Sequence, residues 1–240
     1  MFLICFRALA AFSLGLERAG MTTVGFCEID PFCRAVLAKH WPKVPCHDDI
    51  ATREFTAGEA DVVCGGFPCQ DISNAGKRAG IAGSRSGLWR ELVRAIRVVR
   101  PKYAIVENVA AIATDGMGTV LGDLAESGFD SEWSCLSACA LGAPHTRERM
   151  FVLAYPDQSG RRASGARAVE AASANSVIAG GQLTPAANRI AHWSNEPRIS
   201  RVANGIPFVV DRSKALGNSV VPQIPELIGR AIMEAERKDA

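Results

Sequence analysis

Residues 60–73 read ADVVCGGFPCQDIS, and the fold turns on this stretch. Its first half is a short apolar run closed by two glycines, which predicts a buried strand over 60–66. Its second half ends the strand. Pro68 fixes its own φ and biases Phe67 toward extended geometry, so Cys69 follows on a stiff support where strand becomes loop. A nucleophile would be held this way. Taken alone, however, Cys69 reads as a core thiol, because free cysteine is among the most buried residue types.

Outward from this stretch, β-rich and helical runs alternate. TTVGFCE (22–28) predicts a strand, and Asp30 then caps a helix that has Pro31 at its first position and continues to about His40. GLWRELVRAIRVVR (87–100) sets Leu88, Leu92, Ile96 and Val99 on one side of a helix, and YAIVENV (103–109) reads as a strand. A helix near 120–127 and strands near 131–138 and 150–154 follow. The alternation predicts an α/β fold, a doubly wound Rossmann-like sheet that takes ligands at the carboxyl ends of its strands. Residues 157–182, rich in Ala, Ser, Gly and Arg without periodicity, read as a loop or linker. Ile224, Leu227, Ile228, Ala231 and Ile232 then make a helical stripe expected to pack back on the first domain. The division is therefore 1–155, a reduced region over 156–210, and a returning helix within 211–240.

The 240 residues, 48% hydrophobic and 22% charged, suit one sizeable domain with a small appendage. No apolar run reaches the length of a membrane span and the N-terminus lacks the order of a signal peptide, so a cytoplasmic protein is expected. The eight cysteines show no paired CxxC spacing, which indicates neither a metal site nor a disulfide framework. A net charge of +2 does not argue for nucleic acid. Basic residues nevertheless cluster between Lys77 and Lys102, where a phosphate-binding cleft and a solvated helix face explain Arg90 to Arg100 equally well.

Four motifs stand in order: GFPCQ (66–70) after a strand, ENV (107–109) ending another, RER (147–149) just before a third, and GNSVVP (217–222) opening the terminal helix. Together they resemble the DNA cytosine-5 methyltransferase family of bacteria and their phages, over nearly the whole chain except about 157–195. The resemblance implies methyl transfer from S-adenosylmethionine to carbon 5 of a flipped-out cytosine in double-stranded DNA. Cys69 would be the thiolate that adds to carbon 6. Glu107 would hold ring nitrogen 3 and the exocyclic amine, and Arg149, with Arg147 nearby, the carbonyl oxygen. The loop from Gln70 to Ser86 would close over DNA, with Gln70, Ser73, Lys77 and Arg85 as contacts. Glu28 would hold the ribose hydroxyls, Asp49 and Ile50 the adenine, and Phe6, Gly66, Pro68, Leu88 and Asn218 the rest of the cofactor. A monomer, with a cognate restriction endonuclease as a further partner, is the matching expectation. On their own, Glu107 reads as a strand-end residue satisfied by a helix N-terminus, the RER pair as surface salt bridges, and Asp49 as part of a turn.

Two departures accompany the resemblance. The family's first motif is approximately DLFxGxGGF, whereas residues 4–12 read ICFRALAAF, with Ala8, Ala10 and Ala11 where glycines are expected. Those alanines would resist any positive φ required there. Codon degeneracy lets MFLICFRALAAF, read one frame over, spell Asp-Leu-Phe-Ser-Gly-Ala-Gly-Gly-Phe, and the family pattern resumes at Ser13, which points to a single-nucleotide slip near Phe12. The target-recognition region is also small. An RNA cytosine-5 methyltransferase, a catalytically impaired relative that still binds DNA, and a cysteine hydrolase built on Cys69 and His145 are the competing readings.

Overall fold

The computed structural model describes residues 2–5, 9–68, 87–143, 145–157 and 219–238, with residues 2–5, Leu9 and Asp115 described by backbone alone. Cys69, Phe6, Gln70, Ser73, Lys77, Arg85 and Asn218 lie outside them, as does nearly all of the 156–210 region.

Strands β1 (Phe2–Cys5), β2 (Thr23–Cys27), β3 (Cys46–His47), β4 (Val62–Gly66), β5 (Tyr103–Val109), β6 (Phe129–Ser137) and β7 (Glu148–Pro156) form one sheet in the order β3-β2-β1-β4-β5-β7-β6. The first five strands pair in parallel, and β7 runs antiparallel to both of its neighbours. The strand order reverses between β1 and β4, so ligand sites are expected at the carboxyl ends of these strands.

Alternate residues along the central strands feed two cores. Val62, Cys64, Tyr103 and Ile105 pack with Phe12 and Leu16 of α1 (Leu9–Arg18) and with Ile224, Ile228 and Ile232 of α6 (Gln223–Lys238). Val63, Ala104 and Val106 face the other way, against α3 (Gly87–Val99) and α5 (Met117–Glu126). Strands buried on both faces read as continuous apolar runs, as β4 and β5 do. Helix α2 (Pro31–His40) begins where expected because the Asp30 carboxylate accepts from the backbone N–H groups of Phe32 and Cys33. The turn α4 (Ile112–Asp115) and a 3-10 turn at Ala138–Leu141 complete the described elements.

Several boundaries differ from expectation, β4 opening at Val62 rather than at Ala60. β6 and β7 start two residues earlier than their apolar runs, since their ladder holds from Phe129 opposite Pro156 to Ser137 opposite Glu148. The RER motif accordingly does not precede β7: Glu148 and Arg149 open it. Helix α5 likewise begins at Met117 rather than near Val120.

Ala10 and Ala11 fall inside α1, and among the described non-glycine residues only Arg100 has a positive φ. The backbone at these two positions therefore asks nothing that an alanine resists. Helices α1 and α6 cross closely. A Cβ on Gly15 would lie 2.3 Å from the Pro222 carbonyl oxygen, and one on Gly229 would lie 2.8 Å from Ala19 Cβ. The far end of α6 is fastened by Glu236, which accepts from Lys102 Nζ at 2.6 Å and from the Tyr103 hydroxyl at 3.2 Å. No helix among the described residues is long and apolar enough to cross a membrane.

Candidate active site

The ends of β4, β5 and β7 meet at one place. Gly66 of β4 pairs with Glu107 of β5, and the Asn108 side chain donates to the Phe67 carbonyl at 3.0 Å while accepting from the Val109 N–H at 2.8 Å. One side chain thus ties the strand end that leads to Cys69 to the ENV motif. Across the antiparallel β5–β7 ladder, Val109 stands opposite Arg149 and Glu107 opposite Phe151. Glu107 and Arg149 are therefore diagonal neighbours on one face. Arg149 Nε lies 3.0 Å from Glu107 Oε1, with side chains only 17% and 8% exposed. Burial leaves this pair weakly screened, so it is a fixed electrostatic element.

Arg147 turns elsewhere. Its Nε donates to the Ser219 carbonyl at 3.1 Å, and Nη2 donates to the same oxygen. Burial, followed by the neighbouring Arg149 charge, lowers its pKa from the ordinary arginine value. The fork fixes the segment just before α6, so the last motif is held against the start of β7.

The second cluster lies around the ends of β2 and β3. Glu28 is buried, its Oε1 accepts from the Asp30 N–H at 2.8 Å, and its own N–H donates to the His47 carbonyl at 2.8 Å. Ile29, directly after it, is 61% exposed. Arg34 Nη1 donates to the carbonyls of Glu28 and Ile29 at 3.1 and 3.0 Å and holds this corner in shape. Asp49 does form a turn, its carboxylate accepting from the Ala51 N–H at 2.9 Å, while Ile50 is fully buried. Gly66 is buried, and Pro68 and Leu88 are half-buried. Two carboxylates beside apolar side chains suit a nucleoside: acceptors for hydroxyls or an amine, with an apolar face for a base. These acceptors and this apolar surface fit the adenosyl part of S-adenosylmethionine.

Among the described residues of the basic stretch, most are committed to structure. Arg94 binds backbone carbonyls of the loop after β3, Arg97 Nε donates to Ser127 Oγ at 2.8 Å, and Arg100 donates to the Ser127 carbonyl at 2.8 Å. Read from sequence, Ile29 carries no role, Asn108 is a member of the ENV motif without a role of its own, and Arg94 belongs to the basic cluster as a cleft or solvated-face residue. An apolar residue directly after a strand-end carboxylate was the signal for Ile29. Nothing in the spacing marks the other two.

The family described as C-5 cytosine-specific DNA methylase matches residues 2–188. The Type II methyltransferase M2.BsuMI of Bacillus subtilis is 38% identical over 158 residues, 62% of this chain and 40% of that protein. M.HhaI of Haemophilus parahaemolyticus is 30% identical over 158 residues, 64% of this chain and 48% of that protein. The chain spans less than half the length of these relatives. Among solved structures, S. pombe Dnmt2 methyltransferase superposes with a TM-score of 0.59 at 19% identity, covering 76% of this chain and 57% of that one. The Entamoeba histolytica methyltransferase EhMeth gives 0.62 at 14% identity, covering 100% and 98%. At such identity these two share the fold, a Rossmann-like methyltransferase sheet. With the family match extending over most of its length, the chain belongs to the C-5 cytosine-specific DNA methylases.

Proposed function

We propose that this chain transfers a methyl group from S-adenosylmethionine to carbon 5 of a cytosine in double-stranded DNA, through a covalent adduct on Cys69. The observation that carries the reading is the buried Glu107–Arg149 pair, next to the strand end from which Cys69 follows two residues after Phe67. Carbon 5 of cytosine is a poor nucleophile. Addition of the Cys69 thiolate at carbon 6 turns the ring into an enamine with electron density at carbon 5. Glu107 accepts from the exocyclic amine and from ring nitrogen 3 in its protonated form, and Arg149 stabilises charge on the carbonyl oxygen, both fixed before the base arrives. When bound, S-adenosylmethionine would supply an electrophilic methyl group, its methyl–sulfur bond breaking as the bond to carbon 5 forms and S-adenosylhomocysteine leaving as the neutral thioether. Glu28 accepts from the ribose hydroxyls, Asp49 and Ile50 border the adenine, and the exposed Ile29 side chain offers the base an apolar face. Transfer of the carbon 5 proton to a solvent base and departure of the Cys69 thiolate then restore the aromatic ring. None of these groups reaches a stacked base, so the target nucleotide must be flipped out of the duplex. The residues expected to contact DNA are Gln70, Ser73, Lys77 and Arg85, the last three at phosphates.

Duplex DNA and a transfer RNA mixture, each incubated with donor labelled in the methyl group, test the substrate. Incorporation into DNA that is lost in Cys69→Ser, together with a covalent complex on 5-fluorocytosine DNA formed by the parent alone, is the expected result. Incorporation into transfer RNA only, or equal trapping by the serine variant, overturns the reading.

A further inference from the structure

The loop from Asp49 to Phe55 carries the adenine-side residues of the reading proposed above, and it contains no strand or helix of its own. Its internal bonds are few. Ala51 N–H and Thr52 Oγ1 bond to Asp49, and Arg53 N–H donates to the Ile50 carbonyl at 3.3 Å. Arg94, in the middle of α3, reaches into this loop. Its Nη2 donates to the Ile50 carbonyl at 2.6 Å and to the Arg53 carbonyl at 3.3 Å, and its Nη1 donates to the Arg53 carbonyl at 3.2 Å. Its Nε is braced by Glu91 Oε2 at 2.5 Å. The guanidinium also lies 5.0 Å from the Phe55 ring centre, and Arg53, paired with Glu59 at 3.0 Å, lies 4.5 Å from the same ring.

We infer that Arg94 is a positioning residue for the cofactor site, fixing the Ile50 peptide and with it the neighbouring Asp49 carboxylate. This rests on the proposed S-adenosylmethionine site. The Ile50 side chain is fully buried, so with its carbonyl also held the orientation of the Ile50–Ala51 peptide is set. Two carbonyls, one carboxylate and one ring face are satisfied together by a planar fork with five N–H groups. A lysine ammonium, a point charge with three donors, cannot hold all four.

The test is Arg94→Lys in the full chain, with Arg97→Ala as a control on the same helix whose bond to Ser127 points away from the loop. Hydrogen exchange over residues 48–55, measured without cofactor, is expected to rise about tenfold or more in Arg94→Lys and to stay at the parent level in Arg97→Ala. The Kd for S-adenosylmethionine by calorimetry is expected to rise about tenfold in Arg94→Lys, the scale of one or two lost hydrogen bonds. Turnover at saturating cofactor should stay within about twofold, a split between affinity and rate that general destabilisation would not give. Should Arg94→Lys not fold, Glu91→Gln, which loosens the Nε brace, carries the same test with an expected rise of about threefold. A folded variant with parental exchange and parental Kd overturns the inference and leaves the cofactor site standing. Absence of binding by the parent, and by a version carrying DLFSGAGGF at residues 4–12, overturns the cofactor site and the inference with it.

Discussion

Arg149 meets Glu107 at 3.0 Å across two antiparallel strands, with neither side chain more than one-fifth exposed. A carboxylate set in this way is oriented before substrate enters. Glu107→Gln keeps the size and a polar contact but loses the charge that stabilises a ring protonated at nitrogen 3. Turnover is expected to fall about 100-fold to 1000-fold with DNA affinity changed less than threefold. Steady-state rates beside a gel-shift titration check this, and unchanged turnover removes Glu107 from the mechanism.

Gly15 is a steric requirement of the α1–α6 crossing. In Gly15→Ala the added Cβ meets backbone atoms of Pro222 and Glu226, which cannot swing aside as a side chain end can. A loss of about 2 kcal/mol, or roughly 4–8 °C in Tm, is expected. Gly122, inside α5, has nothing within 4 Å of its would-be Cβ. Gly122→Ala should therefore gain about 0.5–1 kcal/mol from helix propensity. Paired thermal melts decide the matter, and equal effects of the two substitutions would refute the crossing as described.

Cys27 is fully buried, and burial pushes its thiol from 9.0 up to about 12. Between these values the unfolded chain gives up this proton and the folded chain keeps it. The thiol's contribution to stability is therefore complete below about pH 9 and is lost as pH rises toward about 12. The slope for one group is at most about 1.4 kcal/mol per pH unit. Urea midpoints at pH 8 and pH 10.5 should converge in Cys27→Ala relative to the parent. Substituting the exposed Cys139 should leave the parental difference in place, and iodoacetamide at pH 8 should label Cys139 well before Cys27.

The first motif yields to direct comparison. Ala10 and Ala11 lie within α1 without positive φ, so backbone strain at these two positions is not what would weaken cofactor binding. Replacing residues 4–12 by DLFSGAGGF is expected to tighten S-adenosylmethionine binding about tenfold or more without changing Tm by more than a few degrees. Equal affinity by calorimetry would show the altered motif to be harmless.

Legibility in the sequence followed the range of the interaction. Helix Pro31–His40 was readable to the residue, because its start is written in Asp30 and Pro31. Strand Tyr103–Val109 was equally readable, being apolar on both faces. The β6–β7 ladder was blurred at its ends because backbone pairing continues through polar residues that carry no hydrophobic signal. Two-residue β3 is too short to leave a pattern. In the candidate site, strand-end carboxylates were visible as types in sequence. The Asn108 link to Phe67 and the Arg147 fork on Ser219 were not, since each joins a side chain to a distant carbonyl that any residue could supply.

The glycine-to-backbone contact between α1 and α6 also constrains the order of events during synthesis. Residues 9–18 leave the ribosome roughly two hundred residues ahead of 223–238, so the side of α1 that Gly15 and Leu16 present to α6 stays uncovered throughout that interval, even where Phe12 has met the sheet. Such a distant closure is slow and leaves a nascent chain open to aggregation. Chaperone demand in the cell should thus be governed by the time spent waiting for the last helix rather than by the net stability of the finished protein.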